Sequence, residues 1–130
     1  MAAARSGLAV SLWARTSASL ARARERLQRL EDGEAAAIRL TTSLEEAAGV
    51  GTVLEAITEH RDAKAALYAR LHGHLPEGGI LATTTSSLSI RSLARVAPEP
   101  RRFAGFHVFN PVPRMPLVEV CVPSDAHDDV

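Results

Sequence analysis

The stretch Gly-Phe-His-Val-Phe-Asn-Pro-Val-Pro-Arg-Met-Pro-Leu-Val-Glu-Val, residues 105–120, constrains the fold of this chain more than any other. A short apolar segment that carries His107 leads into Asn110-Pro111-Val112-Pro113, and a second apolar segment follows at 117–120. Proline fixes φ and has no N–H to donate to a strand ladder. The pattern therefore predicts a strand, a rigid corner and a second strand.

The alternation of the second strand predicts which of its side chains share a face. Val118 and Val120 point to one side of the strand and Glu119 points to the other. If the corner folds the two strands together, Glu119 lies beside His107, where a carboxylate orients an imidazole as a general base. A lone histidine at a strand end more often has only a structural role, so its neighbours decide between the two interpretations.

A hydroxyl-rich turn, Thr83-Thr84-Thr85-Ser86-Ser87, directly follows an apolar strand predicted at 79–82. Hydroxyls at the carboxyl end of a strand in an open α/β sheet lie where such sheets bind ligands. Taken alone, a Ser/Thr cluster more often caps a helix, and Ser87 or Ser89 is expected to cap a short helix at 90–95. Together with the corner and Glu119, the turn favours a functional site around His107.

Three blocks of the sequence resemble the 3-hydroxyacyl-CoA dehydrogenases of fatty-acid β-oxidation, a family that includes bacterial 3-hydroxybutyryl-CoA enzymes. The blocks are LEAITEHRDAK at 54–64, ILATTTSSLSI at 80–90 and RFAGFHVFNPVPRMPLVEV at 102–120. They fall in register without gaps, which makes the resemblance highly specific. It implies an α/β, Rossmann-like fold with a mainly parallel sheet. It also implies an oxidoreductase that oxidises the 3-hydroxyl of an acyl-CoA, with hydride transfer to NAD.

The resemblance also implies roles for individual residues. His107 corresponds to the catalytic base, Glu119 to its partner, and Ser86 to the residue that hydrogen-bonds the substrate oxygen beside the cofactor. The resemblance further implies that the nicotinamide and CoA-facing site is lined by Glu59, Lys64 and Asn110, and that the backbone of Ala56 touches the cofactor. Judged by residue type alone, Glu59 and Lys64 would more often be surface charges.

The beginning of the chain is unusual for a dinucleotide-binding fold. Gly7 is expected to end a short helix before a strand at 8–13, and no Gly-x-Gly-x-x-Gly motif occurs in the sequence. The first strand and the glycine turn are thus expected to be lacking, and because that strand lies mid-sheet, two strands should have unpaired inner edges. Residues 1–130 are interpreted as a partial dinucleotide-binding domain. The family's C-terminal helical domain, through which its members form homodimers, is not expected in this chain.

The end of the strand at 8–13 bears on cofactor choice. NAD-specific domains carry an acidic residue at this point to hold the ribose hydroxyls, but here Ala14 is followed by Arg15. Arg15 can meet a 2′-phosphate, so NADP stays open beside NAD as the cofactor. An ordinary solvated arginine explains the residue equally well.

Composition narrows the classes of protein further. With 130 residues the chain is one domain at most, and its zero net charge and 4% aromatic content indicate no nucleic-acid partner. No apolar run reaches the length of a membrane span, so no membrane partner is expected. The single cysteine, Cys121, excludes an internal disulfide and is interpreted as a buried strand residue. His60, His72 and His74 lack metal-type neighbours, so no metal site is expected.

The first 24 residues leave the location of the protein open. They contain several Arg and Ser and no acidic residue, which is the composition of a mitochondrial transit segment. Against this, residues 8–13 read as a strand, and Thr16 or Ser17 is expected to cap a helix from Ala18 to Leu30. A cytoplasmic protein is expected, with mitochondrial targeting as the minor alternative.

The middle of the chain predicts further alternation of strands and helices. The pattern predicts, in order, a turn at 31–34, a strand at 38–41 and a capping box formed by Ser43 and Glu46. A strand at 51–57 then precedes a helix at 62–71. That helix is expected to pack through Ala66, Leu67 and Leu71.

Two other functions compete with an active dehydrogenase. One is a non-catalytic remnant or partner subunit of the same family, which would work only beside a chain that supplies the glycine turn and the helical domain. The other is an NADP-dependent 3-hydroxyacid dehydrogenase whose substrate lacks CoA. Nucleotide titration separates a cofactor-binding module from a remnant.

Overall fold

The computed structural model describes residues 2–29, 38–112 and 114–130, so the turn predicted at 31–34 and Pro113 of the corner lie outside the described residues. The chain divides into two compact units, Met1–Ala47 and Ala48–Val130. In both units strands alternate with helices and adjacent strands run mostly parallel, which is the α/β architecture predicted from the sequence.

The helices and strands are short. In chain order they are α1 (Ala2–Arg5), β1 (Val10–Trp13), α2 (Ser17–Gln28), β2 (Ile38–Thr41), α3 (Leu44–Ala48), β3 (Thr52–Glu55), α4 (Arg61–Leu71), β4 (Ile80–Thr83), α5 (Ile90–Ala94), a 3₁₀ turn (Pro100–Arg102), β5 (Phe103–Val108) and β6 (Val118–Cys121). The strands end one to three residues inside several predicted bounds, because a strand extends only as far as it has a partner in the ladder.

The first unit is built on the parallel pair β1–β2, in which Val10 is level with Ile38 and Trp13 with Thr41. Helix α2 links the two strands. The Thr16 hydroxyl caps α2 by accepting a hydrogen bond from the backbone N–H of Ser19 at 3.2 Å, as predicted.

The second unit is built on a four-stranded sheet in the order β3-β4-β5-β6. The first three strands are parallel, and β6 runs antiparallel to β5 after the proline corner. Among the residues that the structure describes, β1 pairs only with β2 and β3 only with β4. This agrees with the expectation of two unpaired strand edges.

The core of the second unit lies between α4 and the sheet. Tyr68 and Phe103 are both fully buried and meet edge to face, with ring centroids 5.6 Å apart. Leu71, Leu81 and Leu93 of the same unit are also buried, each about 1% exposed. This packing fixes the carboxyl ends of β3, β4 and β5 relative to one another.

Two expectations about burial are wrong. Ala66 is exposed on α4, because Lys64 and Tyr68, together with Leu67 and Leu71, form the buried face of that helix. Cys121 is exposed, like every residue of β6, because the described part of the chain leaves both faces of that strand uncovered.

Within residues 2–29, 38–112 and 114–130, no helix is long and apolar enough to cross a lipid bilayer. The same residues contain no group of three or more His, Cys, Asp or Glu side chains that could hold a metal ion.

Candidate functional site

His107 and Glu119 are direct partners across the antiparallel strands β5 and β6. The Nδ1 atom of His107 lies 2.9 Å from Oε2 of Glu119. An ionised carboxylate can only accept hydrogen bonds, so Nδ1 carries the proton and Nε2 of the neutral ring is the acceptor. The prediction that Glu119 lies beside His107 is confirmed.

Ser86 completes a line of three groups. Its hydroxyl oxygen lies 3.1 Å from Nε2 of His107, in the turn that follows β4. Because β4 and β5 are parallel neighbours, their carboxyl ends lie side by side and bring the hydroxyl to the ring. The edge of Phe109 packs on the imidazole at a centroid distance of 4.8 Å and helps to orient it.

This line of groups opens into a cavity of about 500 Å³. The side chain of His107 is 25% exposed and that of Glu119 is 63% exposed, so a small molecule can reach both. At the floor, Gly105 lacks a Cβ that would lie 2.7 Å from Cδ1 of Ile90, which lets α5 pack closely on β5. The lining residues include Ser86, Ser87, His107, Glu119 and Cys121.

A hydroxyl, an imidazole and a carboxylate in this order can support two kinds of chemistry. In acyl transfer the serine attacks a carbonyl, and backbone N–H groups stabilise the oxyanion. Here the N–H groups of Ser86 and Ser87 already donate to Oε1 of Glu59, at 2.9 and 3.1 Å. The arrangement therefore favours removal of a proton from a bound hydroxyl by His107 over nucleophilic attack by Ser86.

A second polar cluster lies inside the unit, between β3, β4 and α4. The Lys64 ammonium donates to both carboxylate oxygens of Glu55, at 2.8 and 2.9 Å, and both side chains are 0% exposed. Tyr68 and Thr83 donate their hydroxyls to Oε2 of Glu55 at 2.9 and 2.7 Å. Burial and the negative charge of Glu55 raise the pKa of the Tyr68 phenol, which keeps it a donor.

Lys64 was predicted to line the cofactor and substrate site. The structure places its ammonium wholly inside this buried cluster, with Nζ 3.7 Å from Oε2 of Glu59. A fully buried ammonium paired with Glu55 is directed to the protein rather than to the cavity. Its role in binding cofactor or substrate remains a prediction.

Glu59 lies between the buried cluster and the Ser86 turn, with 40% of its side chain exposed. Desolvation acts to raise the pKa of its carboxyl group. Hydrogen bonds from the turn at 85–87 and the positive charge of Lys64 outweigh it and lower the pKa from 4.5 to about 2. Glu59 is therefore a carboxylate, able only to accept, at any pH near neutrality.

The remaining predicted site residues lie at exposed positions. Ala56 follows β3, Asn110 lies at the proline corner, and Arg15 follows β1 in the first unit. The structure brings Ser86, His107 and Glu119 together. The cofactor or substrate roles of Ala56, Asn110 and Arg15 stay predictions.

Sequence reasoning missed Glu55, Tyr68 and Thr83 as partners of Lys64. One feature of the sequence does indicate these partners. Lys64 and Tyr68 are four residues apart and share a helix face, and Glu55 ends an otherwise apolar strand. Two polar side chains on the core face of a helix require partners of this kind.

Residues 1–130 match the family described as 3-hydroxyacyl-CoA dehydrogenase, NAD binding domain. A curated relative, the fatty acid oxidation complex subunit alpha of Pseudomonas putida, is 45% identical over 84 residues, which are 65% of this chain and 12% of that protein. The chain thus spans about an eighth of the length of that relative.

Solved structures show the same likeness. The chain resembles 3-hydroxybutyryl-CoA dehydrogenase from Escherichia coli K12, with a TM-score of 0.85 and 32% identity over 98% of this chain and 30% of that one. It also resembles (S)-3-hydroxybutyryl-CoA dehydrogenase PaaH1 from Ralstonia eutropha, with a TM-score of 0.82 and 33% identity over 98% of this chain and 50% of that one. These likenesses establish the Rossmann-like fold.

Proposed function

The chain belongs to the family of 3-hydroxyacyl-CoA dehydrogenase NAD-binding domains, and from this premise we propose that it supplies the NAD-binding and proton-transfer part of such an enzyme. The reaction is oxidation of the 3-hydroxyl group of an acyl-CoA in fatty-acid metabolism. One observation carries the proposal: Ser86, His107 and Glu119 form a hydrogen-bonded line that opens into a cavity.

The residues present fit the nicotinamide end of NAD. The cavity lies at the carboxyl ends of parallel strands, where open α/β sheets bind ligands, and its volume of about 500 Å³ suits a small ring beside a short acyl chain. The hydroxyls of Ser86 and Ser87 line it and can hydrogen-bond a carboxamide. The sequence contains no Gly-x-Gly-x-x-Gly turn, the motif with which dinucleotide-binding domains hold the pyrophosphate of the cofactor at a helix N-terminus.

Bound NAD supplies the hydride acceptor. His107 takes the proton of the 3-hydroxyl on Nε2 as hydride leaves C3, so that the carbon–oxygen bond becomes a carbonyl. Glu119 stabilises the imidazolium that forms through the bond to Nδ1. Ser86, which contacts Nε2 in this structure, turns its hydroxyl to the substrate oxygen and holds it within about 3 Å of the base.

His107→Gln tests the proposal in the purified protein with 3-hydroxybutyryl-CoA and NAD. We expect turnover to fall by about 10²–10⁴-fold, because the variant lacks the general base. NADH affinity, followed by fluorescence titration, should change little. The control is His72→Gln, which alters an exposed histidine at the end of α4 and should leave turnover unchanged. Equal turnover in the wild type and His107→Gln would refute the proposal.

Several finer features are part of the same proposal. NAD is the expected cofactor, and Arg15 leaves NADP to be separated by parallel titrations with NADH and NADPH. An acyl-CoA substrate and a cytoplasmic location are expected from the family. A non-catalytic remnant would bind neither nucleotide, so saturable NADH binding excludes that alternative.

A further inference from the structure

Glu59 connects the segment after β3 to the turn after β4. Its Oε1 atom accepts four hydrogen bonds: from the Thr85 hydroxyl at 2.6 Å, the Ser86 N–H at 2.9 Å, the Ser87 N–H at 3.1 Å and the Ser87 hydroxyl at 3.3 Å. One carboxylate oxygen thus holds three consecutive residues. The middle residue is the serine that contacts His107.

Glu59 also lies next to a buried cation. Its other oxygen, Oε2, is 3.7 Å from Nζ of Lys64, whose hydrogen bonds go to Glu55 and Thr83 inside the protein. Buried charges keep their places because any displacement leaves one of them without a partner. The carboxylate of Glu59 therefore has a fully buried cation on one side and the turn at 85–87 on the other.

We propose that Glu59 is a positioning residue, which fixes the turn at 85–87 on the buried Lys64 cluster and so keeps the Ser86 hydroxyl beside Nε2 of His107. The inference deepens the proposed function and rests on it, since in that function Ser86 holds the substrate oxygen next to the base His107. Glu59 does not line the cavity around His107, and its hydrogen bonds go to residues 85–87. It acts through Ser86.

Glutamate is well suited to this task. As a carboxylate it accepts charge-assisted hydrogen bonds, which are shorter and about twice as strong as neutral ones. A glutamine of the same shape keeps one acceptor oxygen but loses the charge and turns an NH₂ group toward the Lys64 ammonium. Glu59→Gln therefore weakens the hydrogen bonds from residues 85–87 to this side chain, which we call the clamp, while preserving the volume of the side chain.

The first test measures the clamp without reference to activity. In Glu59→Gln, amide hydrogen exchange at Ser86 and Ser87 should accelerate by about tenfold or more, because these N–H groups lose a charged acceptor. Exchange in the β5–β6 ladder should not change. The ¹⁵N signals of the His107 ring should show loss of the hydrogen bond at Nε2. Glu77→Gln is the matched control, because Glu77 is an exposed glutamate in the turn before β4.

The second test measures kcat and KM separately. We expect Glu59→Gln to lower kcat about 10- to 100-fold through misplacement of Ser86, with KM for the acyl-CoA changed less than about threefold. Unchanged exchange at Ser86 and Ser87, or faster exchange with an unchanged kcat, overturns the inference. Failure of the proposed function is a separate result, namely full turnover in His107→Gln.

Thr85→Val and Thr85→Ser keep the inference testable if Glu59→Gln fails to fold. Valine removes the 2.6 Å donor to Glu59 at nearly constant volume, whereas serine retains a hydroxyl. In the valine variant we expect faster amide exchange at Ser86 and a lower kcat. In the serine variant we expect both quantities to equal those of the wild type. Equal values of both quantities in the two variants contradict the clamp.

Discussion

The second unit contains two clusters built from the same kinds of group, one closed and one open. In the closed cluster the Lys64 ammonium, two hydroxyls and the Glu55 carboxylate are buried together, with Lys64 and Glu55 0% exposed. In the open cluster the Ser86 hydroxyl, the His107 ring and the Glu119 carboxylate face a cavity, with Glu119 63% exposed. Each joins one or two hydroxyls and a nitrogen group to a carboxylate.

Burial decides what each cluster can do. Charges that are wholly desolvated must stay paired, so the closed cluster cannot exchange protons with a ligand without destabilising the fold. The open cluster can change its protonation at small cost because water and a ligand reach it. Glu59 lies between the two, since it accepts hydrogen bonds from the turn that carries Ser86 and its Oε2 atom is 3.7 Å from Nζ of Lys64.

The largest loss of stability is expected when the closed cluster loses its cation. Lys64→Met leaves the buried Glu55 carboxylate without its cation, which should lower the free energy of unfolding by about 3–5 kcal/mol. Urea denaturation monitored by circular dichroism measures this. The control is Arg91→Met, which removes an exposed cation from α5 and should change stability by less than about 0.5 kcal/mol. Equal stability losses in the two variants would show that the closed cluster is not special.

A smaller effect is expected from removing one donor. Tyr68→Phe deletes the hydroxyl that donates to Glu55 at 2.9 Å and keeps the ring that packs on Phe103. The carboxylate keeps Lys64 and Thr83, so the loss should be about 1–3 kcal/mol, as for one buried hydrogen bond to a charged group. A melting temperature equal to that of the wild type would mean that water replaces the hydroxyl.

The smallest effect on stability is expected from Glu59, which lies between the two clusters. The pKa of Glu59 is depressed in the folded state, from 4.5 to about 2. Its stabilising contribution is therefore present above about pH 4.5 and is lost as the pH falls toward 2. Solvent screens this half-exposed group, so the contribution is on the order of 1 kcal/mol. Stability measured across this range should show a shallower pH dependence in Glu59→Gln, and identical slopes would contradict the assignment.

One pair of the open cluster, His107 and Glu119, was accessible to sequence reasoning because its geometry is local. Strand alternation and a proline corner place Glu119 opposite His107 once the two strands pair, and the register has Glu119 as the partner of His107. The helix cap at Thr16 follows from equally local chemistry. Such features depend on residues close together in the sequence.

The closed cluster was not accessible in the same way. A lysine is rarely buried, and its burial here depends on Glu55, Tyr68 and Thr83, which reach one point only after β3, α4 and β4 have packed. Exposure of Cys121 likewise depends on which parts of the sheet other elements cover. These are properties of tertiary packing, and local patterns do not contain them.

The most direct measurement pairs Glu119→Gln with Tyr68→Phe and determines kcat and the free energy of unfolding for both. We expect Glu119→Gln to lose about 100-fold or more in kcat while its stability stays within about 0.5 kcal/mol of the wild type. Tyr68→Phe should lose stability with little change in kcat. If Glu119→Gln keeps its turnover, or if both variants lose the same quantity, the division into a structural and a catalytic cluster is wrong.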